Sequence, residues 1–306
     1  MQIVVEAMEK LKPARLSRGV GVVSFVMNRR EFTDGGVILG FNPRGHVDRS
    51  APVLRVDSLD GELRGVVFGA ACHNTTLGGK HFEISGDYAG YAQAVIEREL
   101  DGVQAMFMQG CAGDANPFPR GEEAIARKHG TDLGEEVLRV LETKLSPIRG
   151  PLKILHHTVT LPLQSHLTKA GIERLGQGRG GWRSFVAEGM LEALQRDGKL
   201  PESYSTPIAL WQFGDDLTLV GLSGEVVVDY VTLLEDALGP RRLWIAAYCN
   251  DVYGYLPSAR VLEQGGYETR GLYYGSIGLF SPRAQDVLVD HVKQMAATAR
   301  KNSVTD

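Results

Sequence analysis

Polar side chains that could carry out chemistry follow several apolar segments of the sequence. His73 lies in ACHNTT, at the end of the apolar run GVVFGAAC, and Glu225 lies in LVGLSGEVVVDY after another such run. Asp114 and Asn116 occur in MQGCAGDANP, and Tyr255 occurs in YCNDVYGYLPS. Because loops that follow strands often carry active-site residues, we expect these side chains to share one crevice. One imidazole, one carboxylate and phenols indicate a metal site assembled from distant segments rather than a nucleophilic triad.

Each of these residues also has a structural interpretation. A lone histidine after a strand is more often a hydrogen-bonded structural residue than a metal ligand. We predict Glu225 in the first turn of a helix, where the helix dipole alone favours a carboxylate. Ser85 or Asp87 is expected to cap a helix that begins near residue 88, and the glycines around Asp114 suit an ordinary turn.

Local motifs of other enzyme classes are missing from the sequence. It contains no HExxH zinc motif, no GxSxG nucleophile elbow, no GxGxxG fingerprint after a strand and no P-loop. Serine hydrolases and dinucleotide-dependent enzymes are therefore disfavoured.

The composition is that of a folded globular protein. With 306 residues, 43% apolar and 23% charged, the chain is long enough for one large domain or two ordinary ones. The net charge of −4 provides no basic surface for nucleic acid, so we expect no nucleic-acid partner and a small-molecule or peptide substrate. The three cysteines, each alone in its segment, are expected to be small buried residues. No apolar run approaches the roughly 18 residues of a transmembrane segment.

Hydrophobic periodicity predicts alternating strands and helices, which is typical of an α/β fold with a mixed β-sheet core flanked by helices. Strands are predicted at residues 20–27, 53–56, 65–72, 103–109, 152–161, 208–213, 217–222 and 243–248. Helices are predicted at residues 88–100, 122–144, 183–196, 226–237 and 282–300, and the first residues look like the end of an amphipathic helix. We predict a single domain over 1–306, with a loop or lid excursion around 165–205 whose Gly- and Arg-rich part spans 171–184.

Longer motifs occur in a definite order along the chain. They are MNRR at 27–30, VDRSAPVLRVDSLDGELRGVVF, ACHNTT, ISGDYAGYA, QGCAGDANP, LSGE and YGYLPSARVLEQGGYE. In these motifs and their order, the chain resembles the catalytic domain of the neutral/alkaline non-lysosomal ceramidases. The resemblance implies a mixed α/β domain and a zinc-dependent amidase that cleaves the N-acyl bond of ceramide or a related lipid amide. Relatives often carry a following immunoglobulin-like domain, and we expect none in this chain.

The resemblance also implies roles for individual residues. In the family, two histidines, a glutamate and a tyrosine hold one zinc ion per chain. His73 matches the second histidine, Glu225 the glutamate and Tyr255 the tyrosine. Tyr267 matches a further active-site tyrosine, and Arg29 matches an arginine of the substrate site. Without the resemblance, the two tyrosines would be interpreted as rim residues and Arg29 as the partner of an acidic neighbour.

The chain departs from the family pattern in two places. The Thr-His-x-His-Ser-Gly-Pro segment with the first metal histidine has no counterpart, so we expect an N-terminally incomplete domain that lacks this ligand. The essential serine of a Gly-Asp-Val-Ser-Pro segment is replaced by Asn116, whose amide can donate to an oxyanion but cannot act as that nucleophile.

The expected mechanism is attack by a zinc-activated water on an acyl-amide or lipid substrate. Arg29 and Tyr267 would stabilise the oxyanion, while Asn116 and Asp114 would orient water or substrate. An ester or another acyl amide is as compatible with the sequence as ceramide. The alternative is a degenerate, non-catalytic member of the family that binds a ligand in the same crevice.

Overall fold

The structure is a computed structural model that describes residues 2–164, 168–177, 181–269 and 278–301. Within these ranges the chain forms eight α-helices, a short 3-10 helix at Tyr267–Thr269 and fourteen strands. The helices are α1 (Gln2–Glu9), α2 (Asp87–Glu99), α3 (Glu123–Leu141), α4 (Lys169–Gly176), α5 (Trp182–Asp197), α6 (Asp229–Leu238), α7 (Ala259–Gln264) and α8 (Arg283–Lys301). The strands are β1 (Ala14–Val22), β2 (Val26–Thr33), β3 (Gly36–Asn42), β4 (Ser50–Ser58), β5 (Leu63–Ala70), β6 (Gln104–Gln109), β7 (Ala115–Pro117), β8 (Ser146–Ile148), β9 (Leu152–Pro162), β10 (Ser203–Phe213), β11 (Leu217–Leu222), β12 (Glu225–Val226), β13 (Leu243–Ala246) and β14 (Tyr255–Leu256).

Two large mixed sheets form the centre of the fold. The first has five strands in the order β6-β5-β4-β1-β8, and only β5 and β6 in it run parallel. The second has four strands in the order β13-β11-β10-β9, with β11 and β13 parallel. The predicted α/β class with a mixed sheet core is confirmed.

The alternation of side chains along the strands places both sheets between two layers of helices. On β5, Val66 and Phe68 join the apolar cluster formed with α2 and α3. Val67 points to the opposite face, into a cluster with Leu219 of the second sheet. On β11, Val220 in turn faces the cluster that contains α6 and α8. Because successive residues of a strand face opposite sides, the layers run helices, first sheet, second sheet, helices.

Two small sheets lie beside this core and carry Arg29, Asn116, Glu225 and Tyr255. In one, β2 pairs with β3 and with β7, both antiparallel, so that Met27 lies opposite Asn116. In the other, β12 and β14 run parallel, with Glu225 opposite Tyr255.

Three predictions about local structure were wrong: the strand at 20–27, the helix at 226–237 and the loop at 171–184. The strand predicted at 20–27 is two strands, because the chain breaks after Val22 and buries Val23 and Phe25 in the cluster under the first sheet. The helix predicted at 226–237 begins only at Asp229, so Glu225 lies in strand β12 and not in the first turn of a helix. Pairing with β14 draws this segment into extended structure.

The segment 171–184, predicted as a loop, is largely helical where it is described. Helix α4 begins after Thr168, whose side chain accepts a hydrogen bond from the backbone N of Gly171 at 3.2 Å. Ile172 of α4 is fully buried against Val186 and Met190 of α5. This mutual burial of two apolar helix faces outweighs the low helix propensity of the glycines. Residues 165–167 and 178–180 of the predicted excursion lie outside the described residues.

The remaining predicted helices are confirmed to within a few residues, and so is a helix at the start of the chain. At the start of α2, Gly86 is the N-cap residue, so neither Ser85 nor Asp87 caps the helix as expected. Ser85 Oγ instead accepts a hydrogen bond from the backbone N of Asp87 at 3.0 Å. Cys72 and Cys111 are buried and Cys249 is partly buried, all as free thiols. No helix within the described ranges is long and apolar enough to cross a membrane.

Candidate active site

His73 is held in one orientation at the end of the first sheet. It follows β5 by three residues, and its backbone N donates to the carbonyl oxygen of Ala115 at 3.1 Å. Its Nδ1 lies 3.0 Å from the same carbonyl oxygen, which can only accept, so Nδ1 carries a proton. Nε2 lies 2.9 Å from Oε2 of Glu225. Nε2 therefore either donates to this carboxylate as part of an imidazolium or, in the neutral ring, offers its lone pair to a metal.

Glu225 reaches His73 because the short strand β12 is locked in place. Its backbone N donates to the carbonyl oxygen of Gly254 at 2.7 Å. Gly113 packs against the same strand, and a Cβ there would lie 2.6 Å from the carbonyl oxygen of Glu225. Burial raises the pKa of the Glu225 carboxyl, but hydrogen bonds with His73 and Tyr255 and the charges of His73 and Arg29 together outweigh it and leave the pKa below its ordinary value. The group is therefore an ionised acceptor at neutral pH.

Tyr255 and Arg29 form the second half of the site. Nη2 of Arg29 donates to Oη of Tyr255 at 2.9 Å, and Nη1 lies 3.4 Å from Oδ1 of Asn116. The ring of Tyr267 lies 5.4 Å from that of Tyr255 and 5.5 Å from the guanidinium carbon of Arg29. Burial raises the pKa of Tyr255, and the nearby Arg29 charge only partly opposes this. The phenol is consequently neutral unless a further cation lies against it.

The structure thus brings together six of the seven residues named from the sequence, and Asp114 is the exception. Asp114 is fully buried, and its carboxylate accepts from the backbone N of Val228 at 2.8 Å and from Nδ2 of Asn28 at 3.2 Å. Burial raises the pKa of this carboxyl. These bonds tie the segment before β7 to β2 and to the start of α6, so Asp114 lies behind the site and supports it.

Two residues of the site were not identified from the sequence. Oη of Tyr248 lies 3.1 Å from Nε2 of His73 and 3.4 Å from Oε2 of Glu225. Glu268 accepts from Nε of Arg29 at 2.9 Å and from Nη1 of Arg30 at 2.6 Å. The sequence contained a feature that could have identified each of them. Tyr248 ends a predicted strand, much as His73 directly follows one, and Glu268 is the last residue of the GGYE motif.

The donor set is of the kind that zinc binds. Within the described residues no group of three or more His, Cys, Asp or Glu side chains could hold a metal ion. His73 and Glu225 could supply one nitrogen and one carboxylate, and the phenol of Tyr255 a further oxygen. Histidines that ligate a metal usually donate a hydrogen bond from their other ring nitrogen, and Nδ1 of His73 makes such a bond to the carbonyl oxygen of Ala115. The residues present therefore fit a nitrogen and oxygen zinc site.

A separate cavity of about 780 Å³ lies on the other side of β2. Asn28 and Arg30 line it, whereas Arg29 between them contacts Tyr255. The remaining lining residues come from β2 and β3, the loop after β3, and helices α6, α7 and α8: Phe32, Asn42, Arg44, Gly45, His46, Asp229, Thr232, Leu233, Ala259, Arg260, Gln264 and Gln285. His73 and Glu225 are not among them, so this cavity is distinct from the site.

Comparison with known proteins identifies the fold. No protein-family profile matches the chain, and no curated protein matches its sequence. Among solved structures, the neutral ceramidase from Pseudomonas aeruginosa is 19% identical and matches with a TM-score of 0.69 over 98% of this chain and 54% of that one. A ceramidase complexed with C2 is 20% identical, with a TM-score of 0.70 over 97% of this chain and 55% of that one. The chain therefore has a ceramidase-like fold, as the resemblance implied, and spans about half the length of these structures.

Proposed function

We propose that this chain carries the active site of a zinc-dependent hydrolase that cleaves an N-acyl amide of the ceramide type with metal-activated water. The observation that carries the proposal is the meeting of His73, Glu225 and Tyr255, which are far apart in sequence, within a ceramidase-like fold. Arg29 adds a buried positive charge at the same place.

Zinc would be held by Nε2 of His73 and by the oxygens of Glu225 and Tyr255. Bound zinc supplies a Lewis acid that lowers the pKa of a bound water to about 7. The carbonyl oxygen of Ala115 orients the imidazole for this role by fixing the proton on Nδ1. Arg29 donates to Oη of Tyr255 and so favours the negative form of that phenol.

The neighbouring side chains are arranged to stabilise negative charge on a substrate carbonyl. Oδ1 of Asn116 lies 3.4 Å from both Nη1 of Arg29 and Oγ1 of Thr75. These contacts orient the amide so that its Nδ2 is the end left to donate to an oxyanion. Arg29 and Tyr267 lie within the same cluster and would contribute positive charge and a phenol. Asn116 thus binds and orients substrate rather than attacking it.

A second function is favoured by one observation. His73 and Glu225 form a direct contact of 2.9 Å, and a charged imidazolium would make this a satisfied ion pair. With Asn116 in place of the family serine, such a pair suits a non-catalytic domain that binds an acyl-amide ligand in the same crevice.

The test measures zinc content and amide hydrolysis in the purified chain and its variants. We expect about one zinc per chain, with His73→Ala and Glu225→Gln losing zinc and at least about 100-fold in activity on a short-chain ceramide. His156→Ala, an exposed residue of β9, is the control and should retain both. Full activity in either site variant would refute the metal-hydrolase proposal. Ceramide binding with neither zinc nor turnover in the unaltered chain would establish the non-catalytic function instead.

A further inference from the structure

Tyr248 is placed in the site by an unusual backbone conformation. It follows strand β13 and has a φ of +60°, in the left-handed region that bulky residues rarely adopt. Its backbone N donates to the carbonyl oxygen of Gly224 at 3.0 Å, directly before Glu225. The preceding Ala247 donates to the carbonyl oxygen of Gln109 at 2.9 Å. These bonds hold the turn so that the phenol points at His73, a position where strain commonly marks function.

Three donor atoms form a triangle at this place. Nε2 of His73 and Oε2 of Glu225 are 2.9 Å apart, and Oη of Tyr248 lies 3.1 Å from the first and 3.4 Å from the second. Zinc bonds to nitrogen and oxygen of about 2.0–2.1 Å imply roughly 3.3–3.4 Å between neighbouring donors of a tetrahedral site. The three observed separations therefore come close to one face of such a tetrahedron.

Tyr255 is placed differently from Tyr248. Its Oη accepts a hydrogen bond from the Arg29 guanidinium at 2.9 Å, which uses one of its lone pairs. The ring of Tyr248 stands edge-on to the imidazole of His73, with the ring centroids 6.1 Å apart. The hydroxyl oxygen of Tyr248 contacts both the nitrogen of His73 and the carboxylate of Glu225. Tyr255 also makes a hydrogen bond with the Glu225 carboxylate, from the side of Arg29.

We propose that Tyr248 is a further zinc ligand, which completes a face of donors with His73 and Glu225. The inference rests on the proposed function, because it presupposes that zinc binds at this site. It assigns a fourth protein group to the metal, in addition to the three residues of this chain that match zinc ligands of the family. Tyr255 remains one of those three ligands, and its hydroxyl oxygen also accepts a hydrogen bond from Arg29.

The test compares zinc affinity and the cobalt spectrum of the full chain with those of two tyrosine variants. Tyr248→Phe removes only the hydroxyl, and we expect it to weaken zinc binding at least about tenfold, measured by competition with a chromophoric chelator. It should also change the visible absorption of the Co²⁺-substituted protein. Tyr204→Phe is the matched control, because its hydroxyl also donates to a carboxylate, that of Asp251 at 2.9 Å, but outside the site. The control should match the unaltered chain in both measurements.

The outcomes separate this inference from the proposed function. Zinc affinity and a cobalt spectrum unchanged in Tyr248→Phe, while His73→Ala abolishes binding, would overturn the role of Tyr248 and leave the zinc site standing. No zinc binding by the unaltered chain would overturn both. Circular dichroism and the urea midpoint of Tyr248→Phe identify a variant that fails to fold. In that case Tyr248→His, which restores a donor atom, should recover metal binding if the hydroxyl is a ligand, and failure to do so counts against it.

Discussion

Glu268 is expected to be the most important single charge for stability near the site. Its carboxylate bonds to Arg29 at 2.9 Å and to Arg30 at 2.6 Å, and the side chains of Glu268, Arg29 and Arg30 are 1%, 6% and 2% exposed. Glu268→Gln preserves the shape but leaves two guanidinium charges in a nearly dry environment. Breaking a buried ion pair from one side costs about 3–5 kcal/mol. We expect a loss of unfolding free energy in this range.

Urea unfolding followed by circular dichroism measures this loss directly. With an m value of about 3 kcal/mol/M, the midpoint should fall by roughly 1 M or more. The control is Glu62→Gln, whose partner Arg64 lies 2.8 Å away while the two side chains are 64% and 59% exposed. An exposed pair contributes about 0–1 kcal/mol, so this midpoint should hardly move. A Glu268→Gln midpoint no lower than that of the control would refute the buried-charge argument.

Two further predictions concern packing and pH. Gly130→Ala should destabilise the protein by about 1–3 kcal/mol, because the new Cβ would lie 2.6 Å from the carbonyl oxygen of Tyr88 where α3 crosses α2. Gly90→Ala is the control on α2, since a Cβ there meets open space, and it should stabilise the protein by about 0.5–1 kcal/mol. Thermal or urea unfolding measures both changes. Burial raises the pKa of Asp229, but hydrogen bonds from Arg260 and Ser258 outweigh it and hold the pKa below its ordinary value. The stability that Asp229 contributes is present above its unfolded pKa of about 3.9 and is lost as the pH falls through the lower folded value. Between pH 6 and pH 3, Asp229→Asn should therefore lose less unfolding free energy than the unaltered chain, as measured by urea unfolding at each pH. Equal losses in the two proteins would contradict this assignment.

The polar residues at the ends of apolar runs could be found from the sequence, because their chemistry is local information. His73, Glu225 and Tyr255 were named on the order of their motifs, and the structure places them at one site. Arg29 forms an ion pair with Glu268, which agrees with its interpretation as the partner of an acidic residue. It also donates a hydrogen bond to Tyr255, as expected for a residue of the site. The two roles are compatible, since one guanidinium has five N–H groups to donate.

The setting of Glu225 could not be predicted, because it depends on a strand thirty residues further along the chain. Its segment VVVDY has apolar residues that suit either a helix or a buried strand. The pairing of Glu225 with Tyr255 keeps the chain extended up to Val226, so the helix begins only at Asp229. Asp114 was expected to orient water or substrate because of its neighbours in sequence. In the structure it is fully buried and accepts hydrogen bonds from Asn28 and from the backbone N of Val228, which lie on other segments.

The amino-acid sequence was sufficient to predict the alternation of strands and helices, the mixed α/β class and the chemical types of the candidate ligands. These follow from periodicity and residue chemistry within short windows of the chain. Three features could be recognised only in the folded protein: two sheets stack between helical layers, Glu268 pairs with two arginines, and the Tyr248 hydroxyl contacts His73 and Glu225. Each of these contacts joins residues far apart in sequence, so the distance between them is set by how whole helices and strands pack.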